Sequence, residues 1–151
     1  MSDETAGAMQ VLSTQECYAR LATQRVGRLG VVVDHYPLVV PVNYALDAGV
    51  VVVRTHPGAT LAAAGHANIT FEVDEIDPTT RSGWSVLVRG LAEEVTDHHR
   101  AELVARTLAS GAEPWAPGEH GHWLRIIPHA VTGRRIVAGQ LPWGVDGRAY
   151  L

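Results

Sequence analysis

From Val26 onward, hydrophobic positions along this chain mostly alternate with polar ones, which is the period of a β-strand. Residues 38–46 show the pattern most clearly, because apolar side chains occupy one face throughout. The opposite face carries Val39, Pro41, Asn43 and Ala45. Pro41 donates no backbone hydrogen bond, so it suits an edge strand or a point where pairing stops. Turn residues at 34–37 and 47–49 predict where this strand begins and ends.

Further strands are predicted along the rest of the chain. Residues 84–95 form a long one that is apolar on both faces around Val86, Leu87 and Val88, as in a barrel wall or a dimer seam. Residues 122–127 and 131–137 predict one last strand or a strand pair. The other predicted strands cover residues 26–33, 50–55 and 69–74.

Three short helices interrupt the strands. Ser13 and Glu16 have the spacing of a capping box, which predicts a helix over residues 13–24. Cys17 falls on the apolar face of that helix, so we interpret it as a packing residue rather than a reactive thiol. Residues 57–65 begin with proline and end with glycine, and residues 98–109 carry one apolar side.

The order of elements indicates a mainly β fold with peripheral helices. It lacks the strand–helix–strand alternation of a parallel sheet, so the sheet is mainly antiparallel. Its edges must be hidden by closure or by pairing with another copy. The chain of 151 residues suits one domain. We predict a flexible tail over residues 1–11, a folded domain over 12–137 and a C-terminal tail over 138–151.

Composition narrows the choice of partners and compartment. The formal net charge of −4 argues against a broad grip on nucleic acid or an anionic membrane. No segment is long and apolar enough to span a bilayer, and residues 1–10 lack the pattern of a signal peptide. A single cysteine fits a reducing compartment. We therefore expect a cytoplasmic protein with a small-molecule ligand.

The strongest candidate for binding chemistry runs from Arg54 to Thr60. Arginine offers a forked donor for phosphate, threonine offers a hydroxyl, and a helix start presents backbone amides. A strand-end arginine is more often a solvated charge, so the spacing alone leaves both interpretations open. No catalytic residue is identified, because the chain has no nucleophile elbow, phosphate-binding loop or dinucleotide fingerprint.

Histidines and tryptophans give weaker signals. His120 and His122 could face one way on a strand, but no third ligand with suitable spacing completes a site, so no metal is expected. Tryptophans on predicted strands, Trp84 and Trp123, are interpreted as packing residues. Those in loops rich in proline and glycine, Trp115 and Trp143, suit packing and a pocket or interface equally well.

Three stretches of the sequence resemble one known family. They are VGRLGVVVDHYPLVVPVNYALDAGVVVVRTHPGATLAAA, ITFEVDEIDPTTRSGWSVLVRG and HWLRIIPHAVTGRRI. Together they resemble the pyridoxamine 5′-phosphate oxidase-like family, in the actinobacterial branch related to nitroimidazole-resistance proteins. The resemblance covers about residues 11–137. It implies a flavin-reductase-like split β-barrel that forms a homodimer, with FMN in clefts between the subunits.

The resemblance also assigns roles to eight residues. The strand at 41–43 would lie along the isoalloxazine ring, the segment at 54–60 would grip the phosphate, and residues 84–85 would approach the phosphate or ring edge. The implied cofactor-binding residues are Pro41, Val42, Asn43, Arg54, Thr55, Thr60, Trp84 and Ser85.

One position departs from the family pattern. Where relatives commonly carry a lysine on the phosphate, this chain has Thr60, which brings a hydroxyl but no charge. Deazaflavin is therefore an alternative cofactor, with haem as a third. The implied activity is an FMN-dependent oxidoreductase acting on a small organic molecule, whose identity would depend on the loops at 77–83 and 112–121. The alternative is a non-catalytic protein that binds or stores a flavin, deazaflavin or haem.

Overall fold

A computed structural model describes residues 8–96, 98–113 and 121–138 of the chain. Strands dominate it, and three short helices lie between them. The elements in chain order are β1 (Ala8–Leu12), α1 (Thr14–Leu21), β2 (Val26–Val33), β3 (Tyr36–Asp47), β4 (Val50–Thr55), α2 (Ala59–Ala64), β5 (Ala67–Asp77), β6 (Ser82–Glu94), α3 (Ala101–Leu108) and β7 (His122–Val137).

Six strands close into an antiparallel barrel. The order β7–β4–β3–β2–β5–β6 returns to its start because β6 also pairs with β7. β1 adds to the outer edge of β7, where residues 8–12 pair with residues 133–137. The predicted mainly β fold with peripheral helices is confirmed. Closure of the barrel, rather than a long open edge, gives most strands a hydrogen-bonded neighbour on both sides.

The barrel interior holds one apolar cluster, which α1 covers at one end. The Tyr44 and Phe71 rings meet edge to face with 5.0 Å between their centroids. The Tyr44 hydroxyl donates to the backbone oxygen of Leu21, so the helix is tied to the barrel wall. Burial raises the pKa of Tyr44. Cys17, a residue of α1, is fully buried in the interior cluster, which confirms its packing role.

Local signals in the sequence are found where they were predicted. Ser13 accepts from the Glu16 amide and the Glu16 side chain accepts from the Ser13 amide, as the capping box predicts. The turn between β3 and β4 places Ala48 and Gly49 at φ of 48° and 81°, the left-handed geometry of a tight hairpin. No helix in the described part of the chain is long and apolar enough to cross a membrane.

The element boundaries differ from the predictions at several places. Residues 8–12 form β1 instead of continuing the predicted tail, because they pair with β7 although most of their side chains are exposed. Residues 122–137 form one strand with an irregularity near Gly90 of its partner, rather than two. The predicted helix over 13–24 ends at Leu21. Residues 1–7, 97, 114–120 and 139–151 lie outside the described residues, and with them most of the predicted C-terminal tail.

Candidate cofactor site

β3 turns its apolar face inward and a mixed face outward. Val42 and Tyr44 pack in or against the interior cluster, so Pro41 and Asn43 point to the outside of the barrel. Pro41 is exposed and Asn43 is half-buried. The sequence-based assignment of the two faces is therefore correct. Of the three residues assigned to the ring side, Val42 serves the core rather than the outer face.

Arg54 lies on the same outer face as Pro41 and Asn43. On β4, Val51, Val53 and Thr55 are buried toward the barrel interior, and Arg54 points the other way. Tyr44 on β3 and Val53 on β4 form the last pair of the ladder between these strands. Asn43 and Arg54 are the next residues beyond that pair, so they are neighbours on the outer face.

Trp123 supports Arg54 from the adjacent strand. The two residues are paired across β4 and β7. The Arg54 guanidinium lies 5.1 Å from the centroid of the Trp123 ring, within range of a cation–π contact. Trp123 is largely buried in a small outer cluster with Val52 and Ala112. The packing role predicted for Trp123 is confirmed, and this packing holds the arginine at the strand end.

The other residues assigned to the phosphate do not all lie on the face of Arg54. Thr55 is 8% exposed and points to the opposite side of β4. Thr60 is half-buried in the first turn of α2, a helix of six residues whose N-cap, Gly58, makes no side-chain capping bond. Among the three residues assigned to the phosphate, Arg54 is therefore the one that brings a charge to this face.

Trp84 and Ser85 lie on the far side of the barrel from Pro41. They belong to β6, which two strands separate from β3 in either direction around the barrel. Trp84 is 7% exposed in the interior cluster, with the Arg20 guanidinium 5.8 Å from its ring centroid. Ser85 points outward and is paired with Asp74 on β5 and Arg134 on β7. One chain therefore does not bring these two residues to the face that carries Asn43.

Arg28 is a residue of this face that the sequence-based analysis missed. It lies on β2 directly opposite Pro41 on β3 and Glu72 on β5. Its Nη1 atom is 3.5 Å from Glu72 Oε2 and 3.4 Å from Asp74 Oδ2. Alternation along β2 indicates that Arg28 points outward. The sequence contains no signal for the register that sets it beside Pro41.

The two carboxyl groups next to Arg28 share an unusual electrostatic environment. Partial burial raises the pKa of Glu72 to about 7, and the hydrogen bond and negative charge of Asp74 act in the same direction. The Arg28 guanidinium opposes this rise but does not cancel it. Glu72 therefore holds a proton below about pH 7 and loses it as the pH rises through that value.

Only one histidine of the pair considered for a metal lies within the described residues. His120, like Trp115 and Trp143, lies outside them. The Nδ1 atom of His122 lies 2.9 Å from Glu94 Oε1, so its imidazole is engaged by a carboxylate. Within the described ranges, no group of three His, Cys, Asp or Glu side chains could hold a metal ion.

Comparison with known proteins identifies a family over most of the chain. The sequence pattern of the family described as pyridoxamine 5′-phosphate oxidase matches residues 13–135. An uncharacterized protein of Mycobacterium tuberculosis is 33% identical over 143 residues, which is 91% of either chain.

Two solved structures are also similar. An FAD-binding protein of Mycobacterium smegmatis is 33% identical and superposes with a TM-score of 0.64, covering 85% of this chain and 98% of its own. An FAD-binding protein of Mesorhizobium loti is 30% identical with a TM-score of 0.68, covering 86% and 98%. The predicted split-barrel fold is confirmed by this likeness.

Proposed function

This chain belongs to the pyridoxamine 5′-phosphate oxidase family, and from that premise we propose that it binds a flavin on the outer face of β3 and β4. The observation that carries the proposal is the convergence of Pro41, Asn43 and Arg54 on that face, with Trp123 beneath the arginine. We propose FMN as the cofactor. Two similar proteins are named as FAD-binding, and FAD contains the entire FMN unit.

The side chains on this face suit the parts of an FMN molecule. A flat isoalloxazine ring can lie along an extended strand, and Pro41 has no amide hydrogen to project from that surface. Asn43 carries both a donor and an acceptor for the polar edge of the ring. Arg54 supplies the charged, forked donor that phosphate groups prefer.

The missing lysine at position 60 sets an expectation for affinity. Thr60 can donate one hydroxyl hydrogen bond but brings no positive charge to the phosphate. A lost charge-assisted hydrogen bond weakens binding by roughly 1 to 3 kcal/mol, or about tenfold to a hundredfold. FMN should therefore bind this chain more weakly than it binds relatives that carry the lysine.

We further propose that the protein is a homodimer whose second copy completes each site. β6 lies opposite β3, so a ligand on the face of Asn43 meets Ser85 only if another copy presents it. The outer faces of β6 and β7 carry apolar side chains that a partner could cover: Leu87 and Leu91 are each 38% exposed and Ile127 is 43% exposed.

For activity, we propose an oxidoreductase that acts on a small organic molecule in the cytoplasm. A bound flavin would supply the redox chemistry, while the protein binds and orients the reactants and excludes water. The chain then needs no nucleophile or catalytic base of its own. A flavin-binding or storage protein without turnover is the alternative, favoured by the absence of a charged side chain at Thr60.

The test of cofactor binding is a titration of purified protein with FMN. Arg54→Ala should weaken FMN binding by about tenfold or more, because it removes the charged donor of the face. Arg100→Ala is the matched control, since Arg100 is an exposed arginine before α3. Equal effects of the two substitutions would remove Arg54 from the site. A protein with no measurable FMN affinity would overturn the proposal.

The absorbance spectrum and a turnover assay then separate the remaining alternatives. The spectrum of protein purified from its natural host distinguishes FMN from deazaflavin and haem. A bound flavin that is bleached by a nicotinamide donor and re-oxidised by an acceptor supports the enzyme. Tight binding without turnover across donors and acceptors supports the binding protein instead.

A further inference from the structure

Arg28 flanks the proposed ring strand on one side as Arg54 flanks it on the other. Both point outward from strands that pair with β3, namely β2 and β4. The Arg28 side chain is 48% exposed and is paired directly with Pro41. Cross-strand partners have Cβ atoms about 5 Å apart. A ligand over Pro41 is therefore within reach of this guanidinium.

The donors of Arg28 are only partly used. Both of its contacts with carboxylates involve one nitrogen, Nη1, at 3.5 and 3.4 Å, which is long for a charge-assisted hydrogen bond. Within the described part of the chain, no further acceptor is within hydrogen-bond distance of the guanidinium. Nε and Nη2 can thus donate as a fork to a planar anion.

We propose that Arg28 binds a carboxylate group of the substrate beside the ring strand, and that Glu72 and Asp74 set the strength of that binding. This inference rests on the proposed function for the position of the ring over Pro41. It adds the chemical class of the substrate, which is an organic anion, and the residue that selects it.

The carboxyl pair makes this binding depend on pH. The groups that face Glu72 on the outer surface are Asp74 on its own strand, Arg28 on β2 and Arg89 on β6, diagonal to it. Its directly paired residue on β6, Leu87, carries no charge. Below about pH 7 Glu72 holds a proton and adds no negative charge beside Arg28. Above about pH 7 Glu72 is ionised, and an incoming anion is repelled more strongly.

The experiment is a titration of the protein with benzoate, with benzamide as the uncharged probe of the same shape. Binding is measured from NMR shifts of the Arg28 side-chain and backbone amide groups, in the apoprotein and in FMN-loaded protein. Benzoate should bind about threefold to tenfold more tightly at about pH 6 than at about pH 8. Benzamide should bind weakly at both. Equal binding of benzoate and benzamide would overturn the proposal.

Substitutions assign the effect to individual residues. Arg28→Gln should lower benzoate affinity by about tenfold or more, and Arg28→Lys should restore part of it because the charge returns without the fork. Arg100→Gln is the control and should change nothing. Glu72→Gln should keep the tight binding at both pH values. An unchanged affinity in Arg28→Gln, or a pH step that persists in Glu72→Gln, would contradict the corresponding role.

Failure of this inference can be told apart from failure of the proposed function. In FMN-loaded protein, benzoate should also perturb the visible absorption band of the flavin, and it should not do so in Arg28→Gln. If FMN binds but benzoate has no effect, only the role of Arg28 is overturned. If FMN does not bind the wild-type chain, the proposed function fails whatever benzoate does.

Discussion

At the scale of single residues, the direction in which a side chain leaves its strand decides what it can bind. Arg54 and Thr55 are consecutive, and both were assigned to the phosphate, yet one points to the outer face and the other is buried. Val42 similarly packs toward the core between two outward residues, Pro41 and Asn43. Consecutive residues of one motif therefore lie on opposite faces of a strand, because successive side chains alternate between the two faces.

Position 60 gives the prediction at this scale. Thr60→Lys should tighten FMN binding by about tenfold, because it returns a positive charge to the first turn of α2. Ala62→Lys is the matched control, since Ala62 is an exposed residue of the same helix. FMN titration of both variants is the measurement. A similar gain in Ala62→Lys, or no gain in Thr60→Lys, would show that position 60 does not face the phosphate.

At the scale of elements, charged side chains fasten α3 to the barrel. Asp47, at the end of β3, lies 2.8 Å from Arg125 on β7 and 3.1 Å from Arg106 on α3. Arg125 also donates to the Thr107 hydroxyl at 3.1 Å, and its side chain is 7% exposed. Asp47 therefore compensates a buried positive charge and links three elements. This contact keeps α3 beside the small cluster that includes Trp123.

Removing the negative charge of Asp47 should destabilise the protein. Asp47→Asn leaves the Arg125 guanidinium buried without its counter-charge, which should lower the free energy of unfolding by about 2 to 3 kcal/mol. For a chain of this size that corresponds to a drop in Tm of about 5 to 10 °C. Asp34→Asn, in the exposed turn between β2 and β3, is the control and should stay close to wild type.

The same contact should show a defined dependence on pH. Burial pushes the pKa of Asp47 upward, but the hydrogen bonds and charges of Arg125 and Arg106 outweigh it, so the pKa is lowered from its ordinary value of 3.8. A lowered carboxyl pKa adds stability above the ordinary value, and that stability is lost as the pH falls through the folded-state pKa. The difference between wild type and Asp47→Asn should be constant near neutral pH and should shrink in acid. A difference that grows in acid would contradict this.

At the scale of the whole molecule, barrel closure separates residues that the family resemblance groups together. β3 and β6 are on opposite walls, so Asn43 and Ser85 of one chain face away from each other. A shared ligand then implies two copies, each giving β3 and β4 to one site and β6 to the other. The apolar outer side chains of β6 and β7 are consistent with that arrangement.

Mixed dimers test this arrangement directly. One copy would carry Arg54→Glu and a differently tagged copy Ser85→Asp, so that each variant alone repels the phosphate. If every site uses Arg54 of one copy and Ser85 of the other, the mixed dimer regains one intact site and should bind about one FMN. FMN content of the doubly tagged fraction is the measurement. No recovery in verified mixed dimers would place both residues in the same subunit's site. FMN binding by the Ser85→Asp protein on its own would remove Ser85 from the site.

Much of this protein follows from local rules in the sequence. Alternation predicted which side chains of residues 40–46 face the core, because a strand fixes that direction without reference to its neighbours. Leu38, predicted for the same face, is exposed. The turn at Ala48–Gly49 and the capping box at Ser13 were predictable for the same reason, since each is completed within four residues. The outward positions of Pro41 and Asn43 could therefore be derived before the structure was known, whereas that of Arg54, which follows a run of four valines, could not.

What the tertiary structure alone decided is which distant strands meet and in what register. Arg28 lies beside Pro41 and Glu72 because β2 pairs with both β3 and β5, and the pairing with β5 joins segments about forty residues apart. The pairing of β1 with β7 and the opposition of β3 and β6 likewise depend on closing the whole barrel. Register is set by packing of the complete interior and by backbone pairing across the ring. No local pattern carries that information, so the sequence by itself determined the faces and the tertiary structure decided which faces form a site.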